Sequence, residues 1–318
     1  MISITPAASL PAGLSVVVPV YDSAEALPKL AARLLPVLQG LGGEFELLLV
    51  NDGSQDNSWQ AITELVSQHG WIRGLCLMRN YGQHNALLAG IRAASFATCV
   101  TLDDDLQHPP EELPKLIARL DEGFDVVYGA PVQEQHGTLR ALASIITKLA
   151  LQGAMGAQTA RMAGAWRVFR TPLREAFSGY HSPFVSIDVL LTWATSRFSA
   201  VRVRHDPRTI GRSNYTFRKL MHLALTMVTG FSVLPLQLAS VVGFAFTLFG
   251  IAVLTYVLGR YLISGTTVPG FPFLASITAI FSGAQLFALG IIGEYLARIH
   301  SRTMEKPAYS IKETATHD

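Results

Sequence analysis

Residues 45–58 read FELLLVNDGSQDNS, a short run dominated by leucine and valine that ends in Asn51-Asp52-Gly53-Ser54 and passes into helical spacing over 56–68. A run of this length and apolarity fits a strand buried on both faces of a parallel sheet. The turn residues end that strand, and a helix follows. The same unit recurs on both sides. Apolar runs at 14–20, 72–78, 98–102 and 124–128 alternate with helical patterns at 25–38, 84–94 and 111–122. Ser54, Asp56 and Pro110 stand at helix starts, where a capping side chain or a proline fits. Strands alternating with helices predict an α/β fold with a doubly wound, Rossmann-like sheet. Ligands of such a sheet bind at the carboxyl ends of the strands. Residues 21–23, 51–54, 79–82 and 103–107 therefore share one rim.

The chain of 318 residues changes character beyond Tyr215. No Asp, Glu, Lys or Arg lies between Lys219 and Arg260, nor between Arg260 and Glu294, and only 15% of the chain is charged. Mean hydropathy is +0.33. Either stretch exceeds the ~20 apolar residues that cross a bilayer. Breaks at Pro235 and over 264–272 predict a C-terminal transmembrane α-helical hairpin with spans at 234–258 and 273–297. Soluble helices of that length normally keep a charged face. Arg218 and Lys219 before the first span, with Arg298, Arg302 and Lys306 after the second, put both flanks on the cytoplasmic side. The predicted organisation is a cytoplasmic α/β domain over 1–214, a juxtamembrane segment over 215–232, two spans over 233–298 and a cytoplasmic tail over 299–318. MISITPAASLPAG has no basic region ahead of an apolar one, so it does not read as a signal peptide and the globular part is expected to stay in the cytoplasm. Cys76 and Cys99 sit in apolar runs and read as buried thiols. A net charge of +2 gives no footprint for nucleic acid, which is excluded as a partner.

The chemistry is concentrated in four stretches. In TLDDDLQHPPEE (101–112) a strand delivers Asp103, Asp104 and Asp105 to the rim, and Pro109-Pro110 opens a helix. Alternate residues of an extended segment share a side, which pairs Asp103 with Asp105. Oxygen ligands suit Mg²⁺ or Mn²⁺ on a substrate diphosphate, with Gln107 as a further oxygen. An acidic, solvated turn capping the next helix accounts for the same residues. Asp52, at a strand end, can accept from a nucleobase N–H, though Asn-Asp-Gly is also an ordinary turn. RNYGQHNALLAG (79–90) sets Arg79 and Gly82 at a helix start, whose N–H groups favour a phosphate.

VVVPVYDSAE (16–25), VNDGSQDNS (50–58), RNYGQHNALLAG and LDDDLQHPPEE, in this order and spacing, resemble family 2 glycosyltransferases. The hairpin narrows the resemblance to the branch that glycosylates polyprenyl phosphate. Within it RNYGQH, LQHPPEE and RHDPRTIGRSNYTF (204–217) are most similar to the undecaprenyl-phosphate 4-deoxy-4-formamido-arabinose transferases. Dolichyl-phosphate mannose synthases and polyprenyl-phosphate glucosyltransferases belong to the same group. The resemblance implies a GT-A-type domain and inverting, metal-dependent transfer from a nucleotide-sugar, UDP-linked, to polyprenyl phosphate. It also implies a multi-pass protein of the bacterial inner membrane, a role in cell-envelope glycan or lipid A modification, and a homo-tetramer. For residues it implies that Pro19, Tyr21, Asp52, Arg79, Gly82 and Asp103 bind the nucleotide-sugar. Asp103, Asp105 and Gln107 would hold the metal, with the two aspartates catalytic. Arg208, Arg212, Ser213 and Tyr215 would hold the lipid phosphate. Relatives often read Tyr-Asn-Glu, Asp-Asp-Gly-Ser and Gly-x-Ser-Lys-Tyr where this chain has Tyr21-Asp22-Ser23, Asn51-Asp52-Gly53-Ser54 and Gly211-Arg212-Ser213-Asn214-Tyr215. An acidic residue that relatives often carry ahead of Trp166-Arg167 is absent, with Arg161 or Met162 around that place.

Competing readings make different demands. A dinucleotide-binding oxidoreductase needs Gly-x-Gly-x-x-Gly after its first strand, where this chain has Pro19-Val20-Tyr21. A non-enzymatic lipid-binding or flipping partner has no use for Asp103 and Asp105. The basic run Arg202, Arg204, Arg208, Arg212, Arg218 and Lys219 also fits plain attraction to anionic headgroups. Residues 139–152 read equally as an interfacial helix or as core. None of His84, His108 and His205 is required as a base, because a lipid phosphate is already anionic at neutral pH.

Overall fold

A computed structural model of the chain describes residues 13–131, 155, 159, 162–182, 184–204, 206, 234–264 and 270–317. The stretch at 139–152, the juxtamembrane segment and the set Arg208, Arg212, Ser213 and Tyr215 lie outside those residues.

Among the described residues one sheet holds eight strands: β1 (Leu14–Val20), β2 (Phe45–Asn51), β3 (Ile72–Leu77), β4 (Thr98–Thr101), β5 (Val126–Pro131), β6 (Arg167–Arg170), β7 (Phe198–Val203) and β8 (Ile311–Ala315). Their order is β7-β5-β6-β4-β1-β2-β3-β8. Helices α1 (Leu27–Leu41), α2 (Ser58–Gln68), α3 (Gln83–Ala93), α4 (Leu113–Asp121) and α5 (Ile187–Ala194) cover both faces. Alternation along β1 shows how. Val16, Val18 and Val20 pack with α1, α2 and α4, while Val17 packs with α3 and α5. Gly90 brings α3 onto the sheet, since a Cβ there would lie 2.3 Å from Val17 Cγ1.

The doubly wound core matches the sequence reading: β4, β1, β2 and β3 are parallel neighbours. The flanks do not follow from it. β6 inserts antiparallel between β4 and β5, β7 pairs parallel with β5, and β8 pairs antiparallel with β3. The sheet is mixed. β6 has four residues with an arginine at each end, and β8 reads IKETA, so neither carries the apolar signature of a buried strand.

Two helices follow, α6 (Leu234–Ser264) and α7 (Phe271–Thr303). Leu236–Arg260 and Ile280–Ala297 are long and apolar enough to cross a membrane. α6 exposes Leu238, Phe244, Leu254 and Leu262 around its circumference, an arrangement suited to lipid rather than water. Hydroxyls of Ser240, Thr247 and Thr255 donate to the carbonyls of Leu236, Gly243 and Ile251, as apolar surroundings require. The helices pack through Phe281, whose ring lies 5.6 Å from Phe246 and against Gly250. At 31 residues α6 is about 46 Å long, more than the ~30 Å hydrocarbon core.

The tail expected over 299–318 supplies β8. Ala308 is buried, Ser310 O accepts from Met78 N at 2.9 Å, and Tyr309 sits under the Arg92 guanidinium. The chain thus leaves the eight-stranded sheet, runs through both apolar helices and returns to the same sheet.

Candidate active site

The parallel register of β1, β2, β3 and β4 brings their four following loops together, and hydrogen bonds link those loops into a closed ring. Loop 21–23 joins loop 51–56 through Asp22 N to Ser54 Oγ (3.1 Å) and Gln55 N to Asp22 Oδ1 (2.8 Å). Asp52 Oδ1 and Oδ2 accept from the N–H groups of Tyr81 (2.7 Å) and Gly82 (2.8 Å), which ties the second loop to the third. Gly53 makes that approach possible. Its φ is 66°, and a Cβ there would meet the backbone of Arg79 and Asn80 at 2.5 Å. Gln83 Nε2 donates to Asp103 Oδ1 at 2.7 Å, joining the third loop to the fourth. Tyr21 N donates to Asp104 Oδ2 at 3.4 Å and closes the ring.

Of the residues expected to bind the nucleotide-sugar, Tyr21, Asp52, Arg79, Gly82 and Asp103 stand on the four loops and Pro19 does not. Pro19 is buried in β1 opposite Val50, one residue below the end of the strand. Asp52 is buried, and burial raises its carboxyl above the ordinary carboxylate range against the opposing pull of the Tyr81 and Gly82 N–H groups and of Arg79. Its observed work is to clamp residues 81–82. Tyr21 and Arg79 are exposed, and Arg79 lies over the Tyr81 ring at 4.3 Å. Gly82 precedes α3 as expected.

In the acidic loop, β4 stops at Thr101, Asp103 follows without regular structure, and Asp104 and Asp105 lie in a turn. Leu106 follows that turn: it is buried with φ 60°, a left-handed conformation uncommon for leucine, and Asp105 Oδ1 accepts from Gln107 N across it at 3.1 Å. Gln107 O accepts from Asp206 N at 3.0 Å, which brings the start of the 204–217 stretch to the loop. Asp103, Asp105 and Gln107 offer carboxylate and amide oxygens, the donor class that Mg²⁺ and Mn²⁺ take. Among the described residues no group of three or more His, Cys, Asp or Glu side chains forms a cage. Two carboxylates on one loop fit a cation that a substrate diphosphate completes.

Beneath the rim lies a polar layer that sequence reasoning missed. Tyr128 Oη donates to Asp188 Oδ1 (3.0 Å), Arg167 Nε lies 3.4 Å from the same oxygen, and Arg167 also donates twice to Gly164 O. Ile187 N donates to His84 Nδ1 at 3.3 Å. Burial, with Arg167 adding to it and Asp188 opposing, lowers the His84 pKa from 6.5 to about 4. The imidazole is neutral, with Nδ1 as acceptor. These residues come from α3, β5, β6 and α5, so although His84 stands in RNYGQHNALLAG, no local motif joins the four. Gln83 was within reach of sequence reading, as the residue directly after Gly82 at the start of α3.

The model of a family described as Glycosyl transferase family 2 matches residues 15–177, about half of the chain and all four loops. The undecaprenyl-phosphate 4-deoxy-4-formamido-L-arabinose transferases of Salmonella paratyphi B and Salmonella newport are each 34% identical over 303 residues, which cover 94% of this chain and 93% of theirs. The chain belongs to glycosyl transferase family 2. As a family 2 glycosyltransferase it is an enzyme, and the oxidoreductase and flipping-partner readings fall. Glucosyl-3-phosphoglycerate synthase from Mycobacterium tuberculosis, solved with Mn²⁺ and UDP, superposes with a TM-score of 0.52 at 15% identity over 69% of this chain and 78% of that one. That likeness is one of fold, and it confirms the GT-A-type sheet.

Proposed function

We propose that this glycosyltransferase moves a sugar from a UDP-linked donor to the phosphate of undecaprenyl or another polyprenyl lipid, at the cytoplasmic face of a bacterial inner membrane. One observation carries the reading. The ring of loops belongs to a sheet that the chain rejoins through β8 after two helices long and apolar enough to cross a membrane, which supports a rim for a nucleotide diphosphate held close to a bilayer. The full-length similarity to undecaprenyl-phosphate 4-deoxy-4-formamido-L-arabinose transferases makes that sugar the first candidate, ahead of glucose.

In this reading Tyr21, Asp52, Arg79 and Gly82 surround the nucleotide, with Pro19 supporting from below. Asp103, Asp105 and Gln107 hold Mg²⁺ or Mn²⁺, which when bound offsets the charge of the departing diphosphate. Arg79 adds positive charge beside it. Arg208, Arg212, Ser213 and Tyr215 hold the lipid phosphate. An oxygen of that phosphate attacks the anomeric carbon while the bond to the nucleoside diphosphate breaks on the opposite side, which inverts the centre. No base is needed, so accurate placement of two anions carries the catalysis. Assembly into a tetramer belongs to the same reading.

The test incubates purified full-length protein in detergent with undecaprenyl phosphate, Mg²⁺ or Mn²⁺ and a panel of nucleotide-sugars, and weighs the lipid by mass spectrometry. A mass gain matching one sugar on one phosphate is expected. Unmodified lipid across a broad panel overturns the proposal.

A further inference from the structure

We propose that Gln83 is a positioning residue that orients the Asp103 carboxylate for the cation and diphosphate of the donor, an inference that rests on the donor reading above. The contact is short and crosses from one loop to another: Gln83 Nε2 donates to Asp103 Oδ1 at 2.7 Å, twenty residues away in sequence. Both ends stand on rigid supports. On one side, Tyr81 N and Gly82 N are held by Asp52, Asn85 Nδ2 donates to Tyr81 O at 2.6 Å, and His84 accepts from Ile187 N. The residues on both sides of Gln83 are thereby fixed, and Gly90 seats the rest of α3 against Val17. On the other side, Leu102 N donates to Val17 O, which anchors the residue before Asp103 to β1. A hydrogen bond from a fixed amide limits the rotation of the carboxylate, and ordering such a group when a ligand arrives costs entropy.

The choice of side chain matters chemically. An arginine or lysine at this place would neutralise Asp103 and compete with a cation for its oxygens. A glutamine amide donates a hydrogen bond to one oxygen, fixes the carboxylate plane and leaves the negative charge for the metal. Side chains that orient metal-binding groups in this way commonly change affinity or activity by about 10–100-fold when removed. Because Gln83 is exposed and outside the packed layers, its replacement leaves the fold intact.

The experiment measures Mn²⁺ binding by the full-length protein in detergent with UDP present, following free Mn²⁺ by electron paramagnetic resonance, for wild type, Gln83→Met and Gln83→Leu. Neither substitution can donate. Both variants should bind Mn²⁺ about tenfold more weakly, with the melting temperature of the ligand-free protein unchanged. In assays of transfer the apparent KM for nucleotide-sugar should rise in step while that for lipid phosphate stays constant. Equal Mn²⁺ affinity in wild type and both variants overturns the role of Gln83 and leaves the donor reading standing. A wild-type protein that binds no Mn²⁺ with UDP overturns the donor reading, and this inference with it.

Discussion

Asp104 and Asp105 are neighbours with separate duties. Asp104 accepts a long hydrogen bond from Tyr21 N, whereas Asp105 caps the left-handed turn at Leu106 and is a proposed metal ligand. Asp105→Asn deletes a charged ligand without changing size and should lower turnover by at least about a hundredfold with the fold intact. Asp104→Asn keeps an acceptor for Tyr21 and should be milder. Equal losses, or full activity in chelator, would contradict the assignment. His84 gives a second prediction. Its folded pKa is about 4 against an ordinary 6.5, and a proton on Nδ1 would set one donor against the N–H of Ile187. Below 6.5 the unfolded chain takes up a proton that the native chain refuses. The stability from this neutral histidine is therefore full above 6.5 and lost as pH falls toward about 4. Thermal melts from about pH 7 to about pH 4 should show that loss, and His84→Gln should flatten it. An unchanged slope in the variant would place the pH dependence elsewhere.

At the scale of elements, β8 joins the membrane helices to the catalytic sheet. Ending the chain after Tyr309 removes its pairing with β3 and leaves the β3 edge uncovered. A loss of about 2 kcal/mol would lower the melting temperature by roughly 4–8 °C. An unaltered midpoint in the truncated protein would show that β8 contributes nothing to stability. β3 also leads into the loop of Arg79, so the truncated protein should show a raised KM for nucleotide-sugar as well. In the proposed function the 204–217 stretch carries the acceptor side of the reaction. Arg208→Ala should raise the apparent KM for lipid phosphate and leave donor binding little changed. Unchanged lipid kinetics would assign Arg208 to general headgroup attraction.

For the whole molecule, β8 and the basic residues after α7 make one statement about topology. The tail pairs with the catalytic sheet, so both lie on one side of any membrane that α6 and α7 cross. By the positive-inside bias, Arg298, Arg302 and Lys306 predict that this side is the cytoplasm. Single cysteines at Gly265 and Lys312, in a background with the buried Cys76 and Cys99 replaced, test the orientation. An impermeant reagent on intact cells should label position 265 alone, and both positions after permeabilisation. Labelling at 312 in intact cells would overturn the orientation and the cytoplasmic donor with it.

The amino-acid order alone determined the alternation of strands and helices, the rim with its four loops, and the two apolar spans. All of these rest on local periodicity and turn chemistry: LLLV before Asn51-Asp52-Gly53, or the charge-free run from Lys219 to Arg260, is legible without knowing its neighbours. What each rim residue does was decided by tertiary structure. Asp52 is a clamp on residues 81–82 because β2 and β3 are adjacent, and Gln83 meets Asp103 because α3 packs on β1, the strand next to β4. The antiparallel β6, the polar edge strand β8 and the association of His84, Tyr128, Arg167 and Asp188 in one layer were invisible for the same reason. Their partners lie tens to hundreds of residues away, and a hydrogen bond or strand pairing across that distance leaves no periodic trace in either segment.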